Sequence, residues 1–146
     1  MKYRQGVFFV VYFKKNEKIK YLILKRKLHW KGWEFPKGGF EKGEKILDVV
    51  KRELKEETGL EALNIKKFNF SEKYKYDKKY ADRKGLVGQT FEALYAIDVK
   101  KAKVVLDKKE HSEFAWKKFN RAFKKLTWEN QRKCLKIVDG WLKNNF

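Results

Sequence analysis

Glu53, Glu56 and Glu57 stand at i, i+3 and i+4 within the segment Gly38 to Leu60, GGFEKGEKILDVVKRELKEETGL. On a helix that spacing projects all three from one face. Carboxylates so close repel one another and weaken an isolated helix. A divalent cation reverses the sign of that interaction. Hard oxygen ligands with room for water and substrate phosphates suit Mg²⁺ or Mn²⁺. Arg52 adjoins the cluster, Glu44 lies just before it, and the upstream glycines permit close backbone approach to phosphate or metal. Leu47, Val50 and Leu54 are expected on the side opposite the carboxylates, anchoring the helix to a sheet.

Further cations and rings could serve a phosphorylated ligand. Lys37 and Arg26 are candidate phosphate ligands. The run Lys73-Tyr74-Lys75-Tyr76-Asp77-Lys78-Lys79-Tyr80 interleaves aromatics with bases, an arrangement that can stack a nucleobase and hold phosphate. Trp33 or Tyr80 offers another stacking surface. Each has a plainer reading. The cations can be surface charges, the tyrosines can cover the core, and the acidic face can pair with Lys45, Lys51 and Lys55.

The elements that must position these groups follow from periodicity. Val7 to Phe13 is β-branched and aromatic and reads as a buried strand. Lys14 to Lys18 reads as a turn and Tyr21 to Leu24 as a second strand, giving an antiparallel hairpin. Leu28 to Phe40 reads as a loop. The pattern predicts a helix over Lys45 to Thr58, ended by Gly59. Leu63 to Tyr76 reads as one strand and Asp77 to Gly85 as a charged loop. Gly88 to Ile97 reads as a strand with Phe91, Ala93, Tyr95 and Ile97 on one face. A short strand at Phe114 to Lys117 follows. Asn120 is the expected cap of a short helix and Thr127 of a final one, whose stripe is Cys134, Ile137, Val138, Trp141 and Leu142. This order describes an α/β fold, a mixed sheet with helices packed on it. Cys134 is expected to be a core residue.

The acidic segment resembles the Nudix box: glycine, five residues, Glu, seven residues, then Arg-Glu-apolar-x-Glu-Glu-x-Gly-apolar. Gly38, Glu44, Arg52, Glu53, Leu54, Glu56, Glu57, Gly59 and Leu60 occupy its fixed positions. The resemblance implies the Nudix α/β/α sandwich, with the box helix and the C-terminal helix packed on the sheet. It implies hydrolysis of a nucleoside diphosphate linked to another moiety. Glu53, Glu56, Glu57 and the Gly38 carbonyl would hold the metals, and Glu44 and Arg52 would orient the cluster. Glu110, six residues before Trp116, resembles an extra metal-binding or catalytic Glu of several Nudix groups. The general base then lies either in the box or at Glu110. His111 is expected to be structural or exposed. The run Trp33-Glu34-Phe35-Pro36-Lys37-Gly38 resembles diadenosine tetraphosphate hydrolases. Gly38-Gly39 and Gly88-Gln89 resemble the branch that also holds RNA 5′-pyrophosphohydrolases, making Gln89 a substrate-binding candidate. Dinucleoside polyphosphates are thus the leading substrate and triphosphorylated RNA 5′ ends the alternative. A non-enzymatic RNA-binding protein on the same scaffold is a third reading.

Composition bounds the rest. The chain has 146 residues, and 38 Lys+Arg against 19 Asp+Glu give a formal charge of +19. One domain over residues 1–146 suits that length. With 42% hydrophobic and 16% aromatic residues, disorder is excluded. One cysteine excludes a disulfide scaffold, its expected place in the core makes a disulfide-linked partner unexpected, and no apolar run is long enough to span a membrane. A cytoplasmic location is the resulting expectation. Lysine rather than arginine supplies most of the base, which favours general attraction to phosphate over base reading. The box segment alone is slightly acidic, so an acidic metal-holding patch is expected inside a basic molecule.

Overall fold

The structure is a computed structural model and describes residues 2–41, 43–77, 85–100 and 102–145. Tyr80 and most of the charged loop at Asp77 to Gly85 lie outside the described residues. Eleven elements follow in order: β1 (Lys2–Lys15), β2 (Lys18–Arg26), β3 (Gly32–Glu34), β4 (Lys37–Phe40), α1 (Ile46–Thr58), β5 (Ala62–Phe68), β6 (Glu72–Lys75), β7 (Leu86–Val99), β8 (His111–Lys117), α2 (Phe119–Lys125) and α3 (Glu129–Asn144).

The eight strands form one mixed sheet, with β3-β2-β1-β7-β5 as its backbone and β8 paired to β2, β4 to β1 and β6 to β7. β1 and β2 make the expected antiparallel hairpin, with Lys15 opposite Lys18. Asn16 and Glu17, between them, both have positive φ (53° and 65°). A two-residue loop of that hand matches the twist of the flanking strands. The central pair, β1 with β7, runs parallel.

Strand alternation divides the interior into two apolar layers. On one side Val7, Phe9, Val11, Leu22, Leu24, Ala93, Tyr95 and Ile97 pack with Val50, Leu54 and Leu60 from α1 and its end. On the other, Phe8, Val10, Tyr21, Ile23, Leu94 and Ala96 pack with Ala122, Leu126 and the α3 stripe Cys134, Leu135, Val138 and Leu142. The result is the expected helix/sheet/helix sandwich. Tyr21 adds a polar tie to α3, its hydroxyl donating to Asp139 Oδ1 at 2.6 Å. Burial pushes the Cys134 thiol up to about 12, aided by the charge of Glu72. A thiol so protonated is a core group and not a nucleophile.

Several expectations are corrected. The expected loop Leu28 to Phe40 contains β3 and β4, because Gly32–Glu34 pairs with the end of β2 and Lys37–Phe40 with the start of β1. Its glycines permit close backbone pairing and do not break the chain into irregular structure. The expected single strand Leu63 to Tyr76 divides into β5 and β6, which pair with different stretches of β7. Phe91 leaves the face of Ala93, Tyr95 and Ile97, because the β1–β7 register shifts between Gly6 and Phe8. A bulge of that kind reverses which side chains face a given layer.

The helix ends differ as well. The N-cap residues of α2 and α3 are Lys118 and Trp128, neither with a side-chain cap bond, and Asn120 lies inside α2. Thr127 instead joins β3: its Oγ1 accepts the Trp33 N–H at 3.0 Å, and its own N–H donates to the Trp33 carbonyl at 3.0 Å. Ile137 is 38% exposed, at the flank of the α3 stripe. Gly59 ends α1 as expected, at φ 72°, its N–H donating to the Lys55 carbonyl.

Candidate active site

In α1 the buried residues are Val49, Val50, Leu54, Glu57 and Thr58, whereas Leu47 is 51% exposed. The carboxylates therefore do not lie opposite the apolar face. At 3.6 residues per turn, Val50, Glu53 and Glu57 fall on one line and Leu47 on its flank. The first half of that line packs on the sheet and the second half carries acid.

Gly38 makes this possible. A Cβ at Gly38 would stand 2.6 Å from Glu53 Cγ, 2.9 Å from Glu53 Cβ and 3.1 Å from Phe9 Cζ. Only a residue without a side chain lets α1 approach β4 so closely. The next backbone group, the Lys37 N–H, donates to Glu57 Oε2 at 3.1 Å. Glu44 and Arg52 brace the outer end. Glu44 Oε1 accepts the Glu41 N–H at 2.8 Å, and its Oε2 lies 3.0 Å from Arg52 Nη1. Arg52 also reaches Glu53 at 3.4 Å and Glu56 at 3.9 Å.

Glu110 arrives from the turn before β8. Its carbonyl accepts the Lys27 and Leu28 N–H groups at 2.9 and 3.4 Å, fixing it to the end of β2. Ligand atoms of Glu57, Glu110 and His111 lie within 4.8 Å of one another. Of the sequence-predicted acids, Glu57 and Glu110 thus converge from α1 and the β8 turn; among the described residues Glu53 and the more exposed Glu56 stay outside that cluster and meet Arg52.

Glu34, to which the sequence pattern assigns no role, and His111, expected to be structural or exposed, complete the site. Glu34 is fully buried between Arg26 Nη1 (3.1 Å), Lys37 Nζ (3.1 Å) and His111 Nε2 (2.7 Å). His111 is 1% exposed. No local signal marks Glu34: alternation sets it on the face opposite Trp33 and Phe35, and only the three-dimensional packing of Arg26, Lys37 and His111 around it buries that face as well.

The electrostatics divide these groups. Burial alone would raise the Glu34 carboxyl, but Lys37, His111 and Arg26 together hold it down at about 2. Burial drives Glu57 well above the ordinary carboxylate range, and Glu34, Glu110 and Glu53 push the same way against Lys37. Glu53 is raised by burial and by Glu56, with Arg52 opposing. The Glu41 N–H and Arg52 hold Glu44 low. Glu34 is therefore a structural anion. Glu57 and Glu53 are carboxylates in mutual conflict, the condition that a bound dication relieves. Oxygen-rich donors around the Gly38 cradle fit a hard divalent cation.

The substrate-binding candidates separate. Lys37 lines a cavity of about 590 Å³ together with Phe8, Trp30, Tyr74, Tyr76 and Trp128. Trp30 and Trp128 meet edge to face at 5.2 Å. Arg26 lies behind Glu34, 2% exposed, with its Nε donating to the Leu28 carbonyl at 2.8 Å; it braces the acids instead of facing solvent. Trp33 is covered by Lys125, whose Nζ is 4.7 Å from the ring centre, and it packs beside α2. Gln89 is 4% exposed and donates to the Arg4 and Thr90 carbonyls at 3.0 and 3.1 Å. It bridges β1 and β7. Gly88 beside it leaves room for the Tyr74 carbonyl and the Tyr3 ring. A second cavity, about 1090 Å³, opens on the other side of β4 and includes Arg4, Gly39, Glu44 and Arg52. Among the described residues no helix is long and apolar enough to cross a membrane.

The sequence model of the family described as NUDIX domain matches residues 2–136. An RNA pyrophosphohydrolase of Nitratiruptor sp. is 26% identical over 134 residues, covering 89% of this chain and 86% of that protein. An RNA pyrophosphohydrolase of Bartonella bacilliformis is 52% identical over 33 residues, which is 23% of this chain and 19% of that protein. Among solved structures, the C. elegans Ap4A hydrolase in a binary complex superposes with a TM-score of 0.75 at 21% identity, covering 97% of this chain and 98% of that one. The NUDIX domain of Shewanella oneidensis NrtR, complexed with ADP ribose, gives 0.76 at 14% identity, covering 97% and 90%.

Proposed function

The chain belongs to the Nudix family and is a Nudix pyrophosphohydrolase, and from that premise we propose that it cleaves the polyphosphate chain of dinucleoside polyphosphates such as diadenosine tetraphosphate, with Mg²⁺ or Mn²⁺ as its cofactor. Residues 1–146 are taken to act as one catalytic domain. The observation that carries this reading is the placement of Lys37. It stands with its backbone N–H on Glu57 and its ammonium on Glu34, and it also lines an aromatic cavity large enough for a nucleoside.

Glu53, Glu56, Glu57, Glu110 and the Gly38 carbonyl would hold the divalent cations. When bound, these neutralise the polyphosphate, polarise phosphorus and make the attacking water more acidic. The chain's own residues do the rest. Trp30, Tyr74, Tyr76 and Trp128 enclose a base by stacking, worth about 1–3 kcal/mol per base. Lys37 meets the phosphates as they leave that cavity. Arg52 keeps Glu44, Glu53 and Glu56 in register, and Arg26 does so for Glu34 and Glu110 (3.1 and 3.7 Å). The proton of the attacking water would pass to whichever of the box carboxylates or Glu110 is not bound to the cation. The larger cavity beyond β4 gives the distal part of the substrate room. Displacement at phosphorus needs this positioning more than covalent chemistry.

A second reading, removal of pyrophosphate from triphosphorylated RNA, is favoured by the names of the two curated relatives and by the charge of +19. The test is a panel of diadenosine tetraphosphate, triphosphorylated RNA and nucleoside triphosphates in direct competition, with products identified by mass. Preferred turnover of the dinucleotide supports the proposal. Preferred turnover of RNA replaces it with the second reading, and RNA binding without turnover replaces both.

A further inference from the structure

His111 has a geometry that a merely packed histidine would not need. It is 1% exposed, and its Nε2 lies 2.7 Å from Glu34 Oε2. Glu34 Oε2 also takes Arg26 Nη1 at 3.1 Å, so it is the acceptor and Nε2 the donor. Nδ1 is then the ring nitrogen left to ligate. Nδ1 is buried and has no hydrogen-bond partner. An orphaned buried acceptor is costly unless something fills its lone pair. The imidazole also converges with two carboxylates: a ring nitrogen of His111 and carboxylate oxygens of Glu57 and Glu110 lie within 4.8 Å of one another.

Metal-bound histidines recurrently donate their second ring N–H to a carboxylate, which fixes the tautomer and the ring orientation. Glu34–His111 has that form. Glu34 is in turn ion-paired to Arg26 and Lys37 (both 3.1 Å), two cations that fix the carboxylate against the ring.

We propose that His111 is a metal ligand, completing with Glu57 and Glu110 a mixed carboxylate–imidazole site that takes a first-row transition dication in preference to Mg²⁺. This rests on the reading of the box as a divalent-cation site and names the ion class of that site. Imidazole suits transition ions, whereas Mg²⁺ favours oxygen ligands alone and retains its water. Glu34 is the positioning residue that aims the ring.

The test uses the full chain without substrate and Mn²⁺ as a paramagnetic probe. The nitrogen modulation of the Mn²⁺ electron spin echo is recorded on protein carrying ordinary histidine and on protein carrying ¹⁵N-histidine. The chain has two histidines, His29 and His111, so His29→Gln assigns the signal without touching the site's own imidazole. The expected result is a histidine modulation that follows the isotope and survives His29→Gln. Mn²⁺ should bind at least about tenfold tighter than Mg²⁺, a gap that His111→Gln narrows. Glu34→Gln, which leaves the imidazole in place, should weaken Mn²⁺ binding about 10- to 100-fold. Bound Mn²⁺ with no histidine modulation, or modulation lost in His29→Gln, would overturn this proposal and leave the proposed function standing. Failure of the wild-type chain to bind any divalent cation would overturn both.

Discussion

Replacing Glu57 by Gln should stabilise the protein when metal is absent and remove its response to metal. The side chain is 7% exposed, and burial together with Glu34, Glu110 and Glu53 disfavours its charge. Its folded pKa is raised, so the ionised form opposes folding at every pH above the ordinary carboxylate value. Each unit of such a shift is about 1.4 kcal/mol. Gln has the same shape, and its carbonyl can still accept the Lys37 N–H now 3.1 Å from Oε2. The hydrogen bond survives, worth about 1 kcal/mol, and the unfavourable charge is gone. A net gain of about 1 kcal/mol corresponds to a rise in Tm of roughly 2–5 °C for a chain of this size. The assay is thermal unfolding followed by circular dichroism at pH 7, in EDTA and in Mn²⁺. Wild type should gain about 2.7 kcal/mol when Mn²⁺ is at a hundred times its Kd, and Glu57→Gln should gain far less. A lower Tm for Glu57→Gln in EDTA would refute the reasoning, because it would show the carboxylate to be a stabilising partner and not a held-apart ligand.

Other outcomes follow from the same geometry. Gly38→Ala puts a methyl 2.6 Å from Glu53 Cγ; the strain should cost about 1–3 kcal/mol in denaturant unfolding and lower metal affinity, as Glu53 is displaced. Acid titration of Glu57→Gln in EDTA reports Glu34 together with Glu44, which is also held low. The folded pKa of Glu34, depressed to about 2 from 4.5, supplies stability that is fully present above pH 4.5 and is lost as pH falls toward 2, up to about 3 kcal/mol. A flat profile across that window would contradict the buried ion network. Trp128→Ala should raise KM for the nucleotide roughly 5- to 100-fold with kcat little changed, since it removes stacking and leaves the acids in place.

The sequence made the chemistry legible and left its support obscure, for identifiable physical reasons. The acids of the segment Gly38 to Leu60 announce themselves because they fill every fixed acidic position of the box; an acidic helix face alone could equally pair with Lys45, Lys51 and Lys55. The hairpin, the box helix and its glycine stop are local, so spacing and turn chemistry specify them. By contrast, β3 and β4 exist only through pairing with β2 and β1, which no window of sequence contains. Leu47 misled because a helical stripe tapers at its flank, and the carboxylates were misplaced because Gly38 admits them to the buried side. Gln89 and Arg26 read as ligand groups, yet Gln89 is taken up by the Arg4 and Thr90 carbonyls and Arg26 by the Leu28 carbonyl and Glu34, pairings that depend on how the strands are laid together. His111 reads as uninformative for the same cause: Glu34 lies 77 residues away in the chain.

The central claim is that the box acids and Glu110 form a divalent-cation site for cleaving a nucleotide polyphosphate. Its most direct test is the rate of diadenosine tetraphosphate hydrolysis by wild type and Glu57→Gln, each with Mg²⁺ or Mn²⁺ and again in excess EDTA. Turnover should require the cation and fall on the order of a hundredfold or more in Glu57→Gln, with the variant at least as stable as wild type in EDTA. Equal turnover by the two proteins, or hydrolysis that persists in EDTA, would contradict it.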